Sequence, residues 1–268
     1  MTDTQTPTGR RLYGDWVRPV NRWQGAENSI HTDSVAQKIG MRGGTIPGTV
    51  HLTHFPPILD GLFGDRWRAE GGISMFYTYA TTDGEPVRAF VEEPPPGAKD
   101  VQLIAGVENE AGVAVCKGSV SVGRPTTPSY VRATALENAA PGESRILAAM
   151  SPGMEVTPLE RFIIDEDAPD EEITDPQKIY RALAVFPQGV DTKPAVGFFG
   201  ATDLALRAGP LRSRTPYRKT GRVICVGQSA KTEFAWYDSE LHDEDGRLIA
   251  QMRHMTRWMK ISSPLWAA

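Results

Sequence analysis

Residues 101–122 read VQLIAGVENEAGVAVCKGSVSV, two strand-like runs joined by the turn ENEAG, which ends at Gly112. Two similar runs come before them, ISMFYTYATT from Ile73 and EPVRAFVEE from Glu85. Runs rich in Val, Ile and aromatic residues, bounded by Gly, Pro, Asn and Asp, are typical of β-strands. We therefore predict an antiparallel meander over residues 73–122.

A second set of strand-like runs lies near the C-terminus. RVICVGQSA, KTEFAWYDSELH and RLIAQMRHMTRWMK follow one another from Arg222, and the turn between the last two, HDEDG, ends at Gly246. Gly246 lies 134 positions after Gly112, which is half the length of the 268-residue chain. A repeat at this spacing indicates a duplicated unit with a second meander.

A helix candidate lies upstream of each meander. The first is GTVHLTHFPPILDGLF from Gly48, and the second is KPAVGFFGATDLALRAG from Lys193. Because proline removes a helical hydrogen bond and clashes with the preceding turn, we expect a kink or break at Pro56 and Pro57. Similar short sequences precede the two candidates, Ile30-His31-Thr32-Asp33 and Ile173-Thr174-Asp175. Each half therefore reads as a helix followed by strands.

The two halves are separated by a stretch rich in Pro, Ala and Ser, PTTPSYVRATALENAAPGESRILAAMSPG. It lacks a strong apolar period, as expected for a connection between two units. We predict an N-terminal domain over residues 1–124 that carries the candidate site, a linker or crossover over 125–153, and a C-terminal domain over 154–268. Helices packed on antiparallel strands make an α+β fold class.

The composition limits the classes of function. The chain is 40% hydrophobic and 23% charged, which is ordinary for a globular protein. A net charge of −4 with mixed signs argues against a nucleic-acid partner. Cys116 and Cys225 lie far apart and show no metal-ligand spacing, so we expect buried thiols. No apolar run has the length of a signal sequence or a membrane span, and we expect a cytoplasmic protein.

The densest polar cluster is QGAENSIHTD at residues 24–33, followed by SVAQKIG and the turn MRGGTIPG. This stretch resembles the signature of the MaoC-like hydratases, the (R)-specific enoyl-CoA hydratase family. Their pattern is D-x-N-P-[LIV]-H, a short helix, and G-F-x-G-x-[IV]-x-G. The matching segments here are A-E-N-S-I-H and G-M-R-G-G-T-I-P-G. Family positions are occupied by Asn28, Ile30, His31, Gly40, Gly43 and Gly48.

The resemblance implies a tandem, or double, hot-dog fold, in which each half is an antiparallel sheet wrapped around a central helix. It also implies that the second half supplies a wall of the substrate pocket. In the family, an Asp and a His jointly hold a water that adds to the β-carbon of a trans-2-enoyl thioester, while a proton is delivered to the α-carbon. The family's Asp position holds Ala26 here, so the acid has been lost or has moved.

His31 is the candidate for proton transfer, because imidazole titrates near neutral pH. The alternative is a histidine that caps a helix or is buried in the core. Glu27, beside Ala26, is the candidate replacement acid. On a regular strand it would face the wrong side, so this role needs an irregular segment, and the alternative is a surface glutamate. Asn28 is a candidate for substrate binding through the resemblance.

The first helix supplies two more candidates. Gly48 would start this helix, whose free N–H groups can stabilise an enolate oxygen, or it is simply a glycine at a helix start. His51 and His54 share one helix face. A metal site there lacks a third ligand, so we expect no metal, and His51 is predicted to bind substrate as a substitute polar group. No nucleotide, dinucleotide or serine-hydrolase motif occurs, and we expect no cofactor.

The resemblance therefore predicts a hydro-lyase, a hydratase or dehydratase of an α,β-unsaturated or 3-hydroxyacyl thioester or a related carbonyl compound. The expected partner is an acyl-CoA or acyl-carrier thioester, and we expect a monomer or a homodimer. One alternative is an acyl-thioesterase that uses Asp60, the acid in the first helix candidate. The other alternative is a non-catalytic acyl-binding or assembly subunit, in which Ala26 marks the loss of catalysis.

Overall fold

A computed structural model of the chain describes residues 9–192 and 195–266. The described part of the first half contains nine elements. They are β1 Arg11–Tyr13, α1 Asp33–Lys38, a 3₁₀ helix Gly48–His54, α2 Pro56–Phe63, α3 Asp65–Glu70, β2 Gly71–Tyr77, β3 Val87–Glu92, β4 Val101–Asn109 and β5 Ala114–Val122. None of the helices in the described part of the chain is long and apolar enough to cross a membrane.

Among its described residues, the second half has one α-helix and the longest strands. Its elements are β6 Glu155–Ile163, β7 Glu172–Ile173, α4 Pro176–Leu183, β8 Gly197–Leu206, β9 Leu211–Arg212, β10 Pro216–Gln228, β11 Thr232–His242 and β12 Leu248–Met259. Short 3₁₀ turns at Lys260–Ser262 and Pro264–Trp266 follow β12. β7 pairs with β9 in a small separate sheet.

Ten strands form one antiparallel sheet in the order β1-β3-β4-β5-β2-β8-β12-β11-β10-β6. β2 and β8 join the two halves, with Met75 opposite Thr202. Outward from this pair, the two halves repeat the same order of strands. The predicted meanders are confirmed for β3 to β5 and for β10 to β12, but β2 lies between β5 and β8 and does not pair with β3.

The predicted repeat of the turns is visible in atomic detail. Gly112 and Gly246 both adopt positive φ angles, 73° and 80°. Three residues before each, the side-chain oxygen of Asn109 or Asp243 accepts hydrogen bonds from the backbone N–H groups two and four residues ahead. A left-handed residue closing a side-chain-capped turn is the conformation that glycine adopts without steric cost.

The second helix prediction is wrong. Its first two residues, Lys193 and Pro194, lie outside the described residues, and residues 197–206 form strand β8. β8 lies between β2 and β12, and Ala201 and Leu204 are buried. A central strand covered on both faces has a continuous apolar run, which periodicity alone does not distinguish from a buried helix.

The helix of the second half is α4, which begins directly after Ile173-Thr174-Asp175. Asp175 is its N-cap, and its carboxylate accepts the backbone N–H of Gln177 at 2.8 Å. Pro176 occupies the first helical position, where a missing N–H costs nothing. The short sequence that resembles the segment before α1 therefore does precede a helix, although a different one from the helix we predicted.

The predicted break in the first helix is confirmed. The 3₁₀ helix ends at His54, and α2 begins at Pro56. Leu52, Phe55 and Leu59 from these segments are fully buried in a core that also contains Leu183 of α4. The two halves therefore share one apolar core.

The connecting segment, residues 125–153, contains none of the strands or helices of the described chain, but it is packed. Val131 and Leu147 are fully buried against the second half of the sheet. The boundaries at 124 and 154 lie close to the end of β5 and the start of β6. The division into two domains stays a prediction, because one sheet and one core run through both halves.

Candidate active site

A cavity of about 280 Å³ lies where the two halves meet. Its wall combines the loop before α1, the start of the 3₁₀ helix, the end of β2 and the start of β8. The lining residues are Ile30, His31, Met41, Thr45, Ile46, Pro47, Gly48, His51, Tyr77, Thr78, Tyr79, Ala80, Gly197, Phe198 and Phe199. Three of the predicted residues, His31, Gly48 and His51, are thus brought together.

His31 has a fixed orientation. Its Nδ1 lies 2.7 Å from the backbone carbonyl oxygen of Thr45. Because a carbonyl oxygen only accepts hydrogen bonds, Nδ1 carries the proton and Nε2 keeps its lone pair. Burial lowers the pKa of His31 below 6.5, although the bond to Thr45 opposes this effect. His31 is therefore a neutral imidazole at neutral pH with Nε2 free to accept a proton, as a general base requires.

The backbone around His31 is held by a close approach of two loops. The amide of Thr45 donates to the carbonyl of Ile30 at 2.9 Å. A Cβ atom at Gly44 would lie 2.4 Å from the carbonyl oxygen of His31, so only glycine fits there. The glycine-rich turn therefore positions His31 through backbone contacts.

Asn21, which sequence reasoning missed, also holds His31. This buried side chain donates from Nδ2 to the His31 carbonyl oxygen at 2.8 Å. The backbone N–H of Asn21 in turn donates to the carboxylate of Asp83 at 2.7 Å. A buried Asn in a stretch of exposed residues has no local sequence signal, because its burial arises from contacts with distant parts of the chain.

Gly48 begins the 3₁₀ helix and lines the cavity. A Cβ atom at this position would lie 2.7 Å from the ring of Tyr77. The structure therefore explains this glycine by the tight packing of Tyr77 against the helix start. A role for its N–H group in binding a carbonyl oxygen stays a prediction.

His51 is buried in the cavity wall, and its Nε2 lies 2.9 Å from the hydroxyl of Thr81. Burial, together with repulsion from nearby His54, lowers the pKa of His51 to about 3. Its Nδ1 has no hydrogen-bond partner among the described residues. His51 is therefore a neutral imidazole whose Nδ1 is buried and unpaired among the described residues.

Glu27 and Asn28 are both exposed, and neither lines the cavity. Their segment is irregular, and Asn28 has a φ of 54°. The irregularity that a role for Glu27 requires is thus present, but the structure does not bring its carboxylate to His31. None of the described residues in the cavity wall carries a carboxylate. The catalytic role of Glu27 and the binding role of Asn28 stay predictions.

The remaining candidates lie outside the cavity. Asp60 on α2 accepts a hydrogen bond from Arg68 at 2.7 Å and does not line the wall. His54 is largely buried, and burial lowers its pKa to about 4. Within the described ranges, no three His, Cys, Asp or Glu side chains could hold a metal ion. Cys116 and Cys225 are buried free thiols, as expected.

The opposite junction of the halves, at the other end of the β2 and β8 pair, is nearly filled. Only about 20 Å³ remains there. The start of β2 and the end of β8 meet the start of α4, an arrangement equivalent to the large cavity with the halves exchanged. Apolar side chains close it, including Trp67, Ile73, Ile173, Ile179, Leu204 and Leu206.

No family model and no curated protein matches the sequence. Among solved structures, the chain is similar to a protein of Chloroflexus aurantiacus named as a MaoC domain dehydratase, with a TM-score of 0.57, 8% identity and coverage of 96% and 99% of the two chains. It is also similar to a protein of Lactobacillus plantarum named as an oleoyl thioesterase, with a TM-score of 0.50, 9% identity and coverage of 94% and 98%. The dehydratase domain of PpsC from Mycobacterium tuberculosis, solved with C12:1-CoA, gives a TM-score of 0.48 at 10% identity, over 81% and 85%. The first two likenesses show that the chain has a hot-dog fold.

Proposed function

We propose that this chain is a double hot-dog hydro-lyase that acts on an α,β-unsaturated or 3-hydroxyacyl thioester or a related carbonyl compound. The observation that carries the proposal is His31, whose Nδ1 donates to the Thr45 carbonyl at 2.7 Å in the wall of a cavity. That bond leaves Nε2 as the proton acceptor. The equivalent order of strands and helix in both halves supports the double hot-dog assignment.

Because the described cavity wall holds no carboxylate, we assign the proton transfers of both steps to His31. In dehydration, His31 Nε2 takes the α-proton, and the electrons of that bond move to the carbonyl oxygen. The resulting enolate re-forms the carbonyl, makes the carbon–carbon double bond and breaks the bond to the β-hydroxyl. The imidazolium returns its proton to this hydroxyl, which leaves as water, and hydration is the reverse.

Other groups at the cavity would stabilise the enolate. Its oxygen can accept a hydrogen bond from the Gly48 backbone, whereas Nδ1 of His51 is buried and could donate only after the ring turns toward the cavity. Preorganised donors of this kind are worth about 3 kcal/mol each in a water-excluded site. The second half contributes Phe198 and Phe199 to the wall, consistent with a pocket built from both halves. The thioester carrier, CoA or an acyl carrier, would extend from the cavity into solvent.

The test is hydration of a panel of trans-2-enoyl-CoA thioesters by the wild-type chain, His31→Ala and Glu27→Gln. We expect His31→Ala to lower the rate by roughly 10²-fold to 10⁴-fold. Because His31 must be unprotonated to act as the base in dehydration, that rate should fall as the pH drops through a pKa below 6.5. Glu27→Gln should retain the rate if His31 acts alone, and should lose it if Glu27 moves to the site during turnover. Full activity of His31→Ala would overturn the proposal.

A second candidate is a non-catalytic acyl-binding subunit. The specific observation that favours it is that the described cavity wall holds no carboxylate beside His31. The same assay separates the two functions, because a binding subunit would bind saturated acyl-CoA but turn over none of the enoyl thioesters. The thioesterase alternative gains no such support, since its acid, Asp60, pairs with Arg68 away from the cavity.

A further inference from the structure

The cavity wall is uncharged. Among the described residues that line it there is no Lys, Arg, Asp or Glu. The nearby ions, Arg42 and Glu85, pair with each other at 2.7 Å and do not line the wall. An unpaired charge buried in such a space would cost several kcal/mol. Any part of a ligand that enters the cavity must therefore be neutral.

The cavity is also small. A cavity of about 150 Å³ is known to hold benzene, so one of about 280 Å³ holds on the order of ten non-hydrogen atoms of a ligand. Phe199 lines it on the side of the second half. The Phe199 ring packs edge-on against His254, with centroids 4.6 Å apart, and lies 5.2 Å from Tyr180. A long acyl chain that extends toward the second half would have to displace this packed aromatic group.

Four aromatic residues line this small space, Tyr77, Tyr79, Phe198 and Phe199. Aromatic rings prefer offset or edge-to-face neighbours, which add about 0.5 to 1.5 kcal/mol per pair beyond the burial of area. We infer that the acyl group accepted by the cavity is compact and uncharged and carries a single aromatic ring. This inference rests on the proposed function of the same site, since it names the acyl part of that substrate.

The experiment measures binding alone, by isothermal titration calorimetry with three saturated CoA thioesters that contain neither a double bond nor a 3-hydroxyl. The acyl groups are 3-phenylpropanoyl, succinyl and tetradecanoyl. Because all three ligands contain CoA, the differences between their affinities report on the acyl groups. We expect 3-phenylpropanoyl-CoA to bind at least about tenfold more tightly than either of the others. Phe199→Ala should weaken its binding and strengthen that of tetradecanoyl-CoA. Phe234→Ala is the matched control, since Phe234 is a half-buried aromatic residue that does not line the cavity, and it should change neither affinity.

Equal affinities for the three thioesters, or a preference for the succinyl or tetradecanoyl group, would overturn the inferred substrate class. Such a result would leave the hydro-lyase proposal intact, because thioesters would still bind. The failure of all three to bind, together with no turnover of any enoyl-CoA, would instead overturn the proposed function and with it the substrate class. Circular dichroism of Phe199→Ala at the titration temperature shows whether the variant is folded.

Discussion

At the residue scale, Gly44 links packing to the orientation of His31. A Cβ atom there would lie 2.4 Å from the backbone oxygen of His31 and 3.0 Å from its carbonyl carbon. We expect Gly44→Ala to destabilise the fold by about 1 to 3 kcal/mol, because backbone atoms must shift to accept the methyl group. Hydration should fall by at least roughly tenfold, since small displacements of a catalytic group are costly.

Gly61→Ala is the matched control for that prediction. Gly61 is exposed within α2, and a Cβ atom added there would meet nothing within 4 Å. Because alanine favours a helix over glycine, this variant should gain about 0.5 to 1 kcal/mol of stability and keep its activity. Urea denaturation measures both free energies of unfolding. Equal effects of the two substitutions would contradict the packing argument.

The hydroxyl of Thr81 sets the tautomer of His51. Its Oγ1 has no other partner among the described hydrogen bonds, so donation to Nε2 at 2.9 Å satisfies its proton. The reverse arrangement would leave both a buried hydroxyl proton and a ring lone pair unpaired. We therefore expect Nδ1 of His51 to carry the ring proton, which ¹⁵N chemical shifts of the labelled ring report. Thr81→Val should abolish this preference and Thr81→Ser should keep it, whereas protonated Nε2 in the wild type would refute the assignment.

At the scale of elements, Glu233 on β11 fastens the connecting segment to the sheet. Its fully buried carboxylate accepts the backbone N–H groups of Arg145, Ile146 and Leu147 at 2.8 to 3.1 Å, and the Trp266 indole at 2.7 Å. A glutamine would turn one acceptor into a donor that faces these N–H groups. We expect Glu233→Gln to cost on the order of 3 kcal/mol.

Hydrogen exchange and urea denaturation test this role of Glu233. In Glu233→Gln the amides of residues 145–147 should exchange faster. The exposed Glu244 provides the control, since Glu244→Gln should change stability by less than about 0.5 kcal/mol. Unchanged exchange at residues 145–147 would show that other contacts hold the segment.

The elements best predicted from the sequence are those with strong local signals. The meander strands and their two turns follow from Gly112 and Gly246 at equal positions of each half, and the break at Pro56 follows from proline chemistry. α4 was missed, although Asp175 and Pro176 are a readable helix start. β8 was misread because a strand buried on both faces loses its alternation.

The candidate site was predictable only in part, because local sequence signals indicate only some of its residues. His31, Gly48 and His51 lie in one local motif, and the structure places them in one cavity wall. Asn21 and Thr81 act on these residues through single hydrogen bonds, and Phe199 reaches the cavity from the other half. Contacts of this kind depend on the packing of distant segments, so no spacing in the sequence indicates them.

At the scale of the whole molecule, the two halves meet at one open junction and one nearly filled junction. His31 and the 280 Å³ cavity lie at the first, and Trp67, Leu204 and the other apolar residues close the second. We expect the titrations with 3-phenylpropanoyl-CoA to give one binding site per chain. Two equivalent sites per chain would show that the apolar junction opens in solution.

Buried histidines make the stability of the whole fold depend on pH. Burial lowers the pKa of His51 and His254 to about 3 and that of His54 to about 4. Between these values and about 6.5, the unfolded chain binds protons that the folded chain excludes, so acid favours unfolding. Each of the three histidines should cost roughly 1.4 kcal/mol of stability per pH unit below 6.5. Urea denaturation at pH 7.5, 6.5 and 5.5 should therefore show a steep loss in the free energy of unfolding at the lowest pH.

His54→Leu removes one of these groups, and Nε2 of His54 has no partner to lose in the described structure. In this variant the loss of unfolding free energy per pH unit should be smaller by roughly 1.4 kcal/mol. An unchanged pH dependence would mean that His54 is hydrated in the native state.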